Sequence, residues 1–137
     1  MKITSEAEMI EFGRQFATRL NADASVAHVI ELVGDVGAGK TTFVRGLAEG
    51  LGVKEAITSP SFTISKEYAF PGGVLIHYDF YRLQDPGLMI GDLEEAIMDP
   101  SAVVVVEWAD SVAGVLPENR IRIEIKYLED GGREINL

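Results

Sequence analysis

The chain has 137 residues and a mass of 14.9 kDa, the size of one ordinary domain. It is 47% apolar, enough for a real core, and it has no cysteine, which excludes disulfide frameworks, iron–sulfur clusters, thiolate zinc sites and cysteine nucleophiles. Twelve Lys and Arg stand against 22 Asp and Glu, and a formal net charge of −10 argues against a surface that grips a nucleic-acid backbone by itself.

The acid is unevenly spread. Residues 1–70 hold 7 basic and 9 acidic side chains, whereas residues 71–137 hold 5 and 13. Between Leu83 and Asn119 there are eight acids and no Lys or Arg, which reads either as a solvated face or as a docking surface for a basic partner. The start, Met1-Lys2-Ile3-Thr4-Ser5-Glu6, turns polar at once and lacks the apolar stretch of a leader. The purest apolar run, Ala102 to Val106, falls far short of the ~20 residues of a spanning helix. The expectation is a single cytoplasmic domain over 1–137 with no membrane association.

In chain order, Ser5 to Leu20 reads as a helix. Ser5 and Glu8 make an S-x-x-E capping box, and Met9, Phe12, Phe16 and Leu20 fall on one helical face. Val26 to Val33 reads as a buried strand, residues 34–39 as a glycine-rich turn, and Lys40 to Leu51 as a helix closed by Gly52. Ser61 to Phe70 and Val74 to Asp79 read as strands joined by the turn Pro71-Gly72-Gly73. Asp85 to Met98 reads as a helix with an internal Gly91, and Ala102 to Glu107 as a strand buried on both faces. Arg120 to Tyr127 alternates, with Ile121, Ile123, Ile125 and Tyr127 inward, and the tail Arg133 to Leu137 closes a hairpin through Gly131-Gly132. Strands alternating with helices predict an α/β three-layer sandwich of the P-loop NTPase type, its sheet mostly parallel with antiparallel C-terminal strands.

Gly34-Asp35-Val36-Gly37-Ala38-Gly39-Lys40-Thr41 matches G-x-x-x-x-G-K-[ST] at every position. Glycines let successive backbone N–H groups turn in around a phosphate, and the following helix points its positive end at the anion. Lys40 reaches the β- and γ-phosphates, the Thr41 hydroxyl suits Mg²⁺, and Thr42 is placed for the α-phosphate. Asp35 to Thr42 is therefore the expected phosphate-binding stretch. Its context is right, because a predicted strand precedes it and a predicted helix follows.

A metal-assisted triphosphate site also needs a carboxylate at the end of a nearby buried strand. Val103-Val104-Val105-Val106-Glu107 and Val74-Leu75-Ile76-His77-Tyr78-Asp79 each end in one. One carboxylate would hold Mg²⁺ and the other would orient the attacking water; the strand pattern allows either assignment. The hydroxyl-rich Thr58-Ser59-Pro60-Ser61-Phe62-Thr63 has the composition of a phosphate-sensing switch and equally of a plain turn. His77 shares a strand face with Asp79 and reads as core or surface filler. Trp108 falls at the site rim, as a contact for a partner or as packing.

No N-K-x-D follows the loop, and no D-x-x-G, so adenine is favoured over guanine. Arg82 is the only arginine between Gly46 and Asn119, too few for the arginine-lined site of a nucleotide kinase.

Four ordered stretches, Gly34 to Thr42, Thr58 to Thr63, His77-Tyr78-Asp79-Phe80-Tyr81-Arg82-Leu83 and Val106-Glu107-Trp108, together resemble the TsaE (YjeE) family of small bacterial P-loop ATPases. The resemblance runs from the first helix to Gly132-Arg133-Glu134. Phe80 replaces a family leucine, apolar for apolar. The resemblance implies a slow ATPase that works with TsaB and TsaD proteins in making threonylcarbamoyladenosine beside the anticodon of tRNAs reading codons that begin with A. TsaD would transfer the group, ATP hydrolysis would reset the complex, and tRNA would be met only through it. The same resemblance implies phosphate binding by Lys40, Mg²⁺ held by Thr41 and Glu107, and a switch at 58–63. Asp79 would orient water or act behind the metal's ligands, Arg133 would approach the nucleotide, and Arg82 and Trp108 would line the rim. Two other classes fit the loop: a small-molecule P-loop kinase, and a module gated by ATP whose hydrolysis is incidental.

Overall fold

The computed structural model describes residues 1–20, 25–35, 37–58, 60, 65–81, 87 and 89–137. Its elements are β1 (Lys2–Ile3), α1 (Glu6–Thr18), β2 (His28–Val33), α2 (Lys40–Leu51), β3 (Ser65–Phe70), β4 (Gly73–Asp79), α3 (Met89–Met98), β5 (Ala102–Glu107), β6 (Ile121–Tyr127) and β7 (Arg133–Asn136), with a 3₁₀ turn at Ala109–Val112. The sheet order is β1-β7-β6-β2-β5-β4-β3. β6, β2, β5 and β4 run parallel, and β3, β7 and β1 are antiparallel additions. The sandwich is as expected, but the antiparallel strands flank the parallel core on both sides, not at the C-terminal side alone. The two-residue β1 carried no periodic signal; it exists because Lys2 and Ile3 pair with Glu134 and Arg133.

β5 is buried along its whole length because α1 and α2 cover one face of the sheet and α3 the other. Phe43, Leu47, Leu75, Val103, Val105 and Ile123 fill the first layer; Tyr78, Phe80, Leu93, Val104 and Val106 fill the second. Tyr127 departs from the expected inward alternation. It sits at the strand end, 58% exposed, with the Arg133 guanidinium over its ring.

Ser5 caps α1 by accepting from the Glu8 N–H at 3.1 Å. The reciprocal half of the box is displaced by one residue: the Glu8 carboxylate accepts from the N–H and hydroxyl of Thr4. α1 also lies unusually close to α2. A Cβ added at Gly13 would meet Leu47 N and Phe43 O at 2.6 Å, and one at Gly46 would meet Ile10 O at 2.2 Å. Only glycine permits that approach, and it packs the rings of Phe12, Phe16 and Phe43 against one another, tilted or edge-on. Among the described residues, no helix is long and apolar enough to cross a membrane.

Candidate functional site

The parallel strands β2, β5 and β4 end side by side, Leu32 opposite Glu107 and Glu107 opposite Asp79. Ligands of α/β proteins gather at such carboxyl ends. The loop after β2 sits there. Gly37 and Gly39 adopt φ of 83° and 108°, which side chains disfavour, and Ala38 N closes a turn onto Asp35 O at 3.0 Å. Val36 lies outside the described residues.

Lys40 opens α2 and points back into the strand ends. Its Nζ donates to Gly34 O at 2.6 Å, lies 3.5 Å from Glu107 Oε1, and stands 4.3 Å from the centre of the Trp108 ring. Lys40 and Glu107 are both buried. Burial pushes the Glu107 carboxyl up, but the hydrogen bond from His77 and the charge of Lys40 together hold it below its ordinary value. Thr41 and Thr42 follow, both half-buried. Thr41 and Glu107 are hard oxygen donors of the kind Mg²⁺ takes.

Asp79 accepts from the Tyr81 N–H at 2.9 Å. Partial burial raises its pKa and the Glu107 charge beside it adds to the rise, against the Tyr81 hydrogen bond. With the folded value above the unfolded one, stability falls as pH climbs from about 3.8 through the folded value and is flat above it. Asp79→Asn keeps the Oδ1 acceptor and removes the charge. Its melting temperature is expected to exceed that of wild type at pH 7 and to converge with it below pH ~4 in a series of thermal melts. A variant that melts lower at pH 7 would contradict the assigned cost of holding this partly buried charge beside Glu107.

Trp108 is the only non-glycine residue at positive φ among those described, at 55°. That turn directs the ring over Lys40 and against Tyr81, with ring centres 4.8 Å apart. Trp108 is half-buried and packs against both side chains. Thr58 is tied to β3: its oxygens take the Lys66 ammonium and the Tyr68 hydroxyl. Pro60 is buried. Ser59, Ser61 and Thr63 of the predicted switch, and Arg82 at the predicted rim, lie outside the described residues. Arg133 meets the loop itself, donating from Nε to Ala38 O at 2.9 Å and from Nη2 to Gly37 O at 3.4 Å.

Two features escaped the sequence. His77, read as filler, has no exposed surface and hydrogen-bonds Glu107 Oε2; its place two residues before a strand-end carboxylate was the available signal. The other is a cleft of about 290 Å³ beside Gly37, Gly39 and Thr42, walled by Thr4, Met9 and Arg133. The N-terminal segment carries no motif that would announce it.

The family model for the threonylcarbamoyl adenosine biosynthesis protein TsaE matches residues 3–135. The tRNA threonylcarbamoyladenosine biosynthesis protein TsaE of Haemophilus influenzae is 35% identical over 136 residues, 98% of this chain and 85% of that protein. Its namesake in Bacillus subtilis is 45% identical over 116 residues, 85% of this chain and 72% of that protein. The crystal structure of Bacillus subtilis YdiB superposes with a TM-score of 0.78 at 35% identity, covering 98% of this chain and 80% of that one.

Proposed function

The chain belongs to the TsaE family, with its role in tRNA threonylcarbamoyladenosine biosynthesis, and from that premise we propose that it is a Mg²⁺-dependent ATPase driving the cycle of a TsaB–TsaD complex. The observation that carries this is the Lys40 ammonium, held between Gly34 O and Glu107 at the mouth of the glycine loop. A lysine buried there beside a carboxylate is in place for a polyanion.

On this reading the β- and γ-phosphates lie on the loop from Asp35 to Thr42, with Lys40 beside them. The nucleoside occupies the cleft by Thr4, Met9 and Arg133. Thr41 and Glu107 would hold Mg²⁺, which would supply charge neutralisation for phosphoryl transfer. Asp79 accepts a hydrogen bond from the attacking water and aligns it. Its raised pKa makes it a better base than an exposed aspartate. Trp108 and Tyr81 cover the mouth and exclude bulk water, which strengthens every charge interaction inside. Arg133 is occupied with loop carbonyls and the Tyr127 ring, so its guanidinium braces the loop. An arginine aimed at the γ-phosphate would come from the partner, as in GTPases with activating proteins, and hydrolysis by the isolated chain is slow for lack of it. The acidic surface fits this division of work, since tRNA is left to the complex. Thr58 and the hydroxyls after it would report the γ-phosphate to the partner.

The test is ATP turnover by the purified protein, alone and with a TsaB–TsaD complex and tRNA, with Lys40→Ala as blank. Stimulation by the complex together with multiple rounds of tRNA modification is expected. Rapid turnover without partners, or phosphate transfer to a small hydroxylated metabolite, would instead establish the kinase reading.

A further inference from the structure

His77 is a histidine where the sheet asks for an aliphatic residue. It lies on β4, the last of the parallel strands, registered between Val105 of β5 and Lys66 of the antiparallel β3, with no exposed surface. Its Nδ1 has no hydrogen-bond partner. Among the described residues the ring therefore makes one hydrogen bond, Nε2 to Glu107 Oε2, and since a carboxylate only accepts, Nε2 carries the hydrogen.

That contact settles a choice Glu107 would otherwise face. His77 and Glu107 project from adjacent strands toward the same face, with Glu107 two positions beyond the register partner of His77. Directly beside Glu107 is Asp79, a like charge, which takes its own hydrogen bond from Tyr81. With Oε2 tied back to His77, Glu107 turns Oε1 toward Lys40. On the reading that Glu107 serves ATP hydrolysis, we propose that His77 is a positioning residue. It locks the Glu107 carboxylate in the orientation that presents one oxygen to the phosphate loop, away from Asp79. An aliphatic side chain would pack as well and leave the carboxylate free to turn.

The test is a double-mutant cycle of His77→Leu and Glu107→Gln, with His77→Gln and His77→Asn as graded replacements. A leucine fills the space without a donor. A glutamine carries a donor about as far from the backbone as Nε2, and an asparagine cannot reach as far. With the TsaB–TsaD complex present, His77→Leu is expected to lower kcat by about 10–100-fold, the range for residues that orient the ligands of a site. KM for ATP should stay within about threefold, since ground-state binding is not what is lost. His77→Gln should recover most of the lost turnover and His77→Asn should not. In the Glu107→Gln background, His77→Leu should have no further effect. An equal loss in both backgrounds, or equal rates for Gln and Asn, would overturn the proposal.

A second readout needs neither nucleotide nor metal. Trp108 is the single tryptophan and adjoins Glu107, so its emission in the nucleotide-free protein follows the carboxylate and Lys40. His77→Leu, Glu107→Gln and the double variant should shift it alike; additive shifts would overturn the coupling. If wild-type protein fails to turn over ATP while these shifts coincide, the proposed function falls and the His77–Glu107 coupling stands.

Discussion

Replacing Lys40 with methionine is expected to weaken ATP binding by roughly 100-fold, about 3 kcal/mol, the size of a lost charge-assisted contact to phosphate. Methionine keeps the apolar stem, so packing under Trp108 survives and the ammonium alone is removed. Calorimetric titration with ATP measures the loss, and binding within a few-fold of wild type would remove Lys40 from the site. A second consequence separates this site from an exposed lysine. Glu107 is buried, and one of its two polar partners disappears with Lys40. Breaking a buried ion pair costs about 3–5 kcal/mol, because the remaining charge is stranded. Glu107 keeps His77, so the stability loss in urea unfolding is expected at the low end, near 3 kcal/mol. The sign with pH follows from the wild-type value. Glu107 is held below its ordinary 4.5, so the stabilisation is complete above that pH and is lost as pH falls through the folded value. The difference between wild type and Lys40→Met should therefore be constant from pH 5 to 7 and narrow in acid.

The two halves of this site were unequally visible in the sequence. The loop announced itself because phosphate binding restricts residue identity at fixed spacings, and all of them fall within Gly34 to Thr41. Asp79 and Glu107 were visible as a type, a carboxylate closing an apolar run. That they lie side by side follows from the pairing of β4 with β5, which no local pattern encodes. The burial of His77 fits the core reading, but its contact with Glu107 was hidden for the same reason. Alternation placed it on the right face, but its partner stands 30 residues away on the next strand. The direction of Trp108 comes from a positive φ at a non-glycine residue, which leaves no mark in composition, whereas the hairpin that carries Arg133 was announced by Gly131-Gly132. The parallel core was legible because burial on both faces leaves continuous valine; β1 was not, since two residues carry no period.

Gly46 shows how far a local preference can mislead. Glycine in a helix interior is ordinarily worth about 1 kcal/mol less than alanine, so Gly46→Ala and Gly91→Ala both look stabilising from sequence. The structure gives them opposite signs. A Cβ at Gly91 in α3 meets nothing within 4 Å, and that substitution is expected to raise stability by about 0.5–1 kcal/mol. A Cβ at Gly46 would stand 2.2 Å from Ile10 O and 2.8 Å from Ile10 Cα, which are backbone atoms of α1 and cannot rotate aside. The helices must part instead, and the ring cluster of Phe12, Phe16 and Phe43 loosens with them. Overpacking against backbone lies at the upper end of the usual 1–3 kcal/mol, so after the propensity gain Gly46→Ala is expected to lose about 2 kcal/mol. The melting temperature should fall by roughly 8 °C, against a rise of a few degrees for Gly91→Ala. The loss also reaches the site. α1 carries Met9, whose methyl lies 3.3 Å from the position a Cβ would take at Gly39, and the cleft beside the loop is walled by the same helix start. Gly46→Ala should therefore weaken ATP binding while Gly91→Ala leaves it unchanged, although neither residue touches the loop. Equal melting temperatures for the two variants would mean that α1 and α2 do not approach each other as closely as the glycines imply.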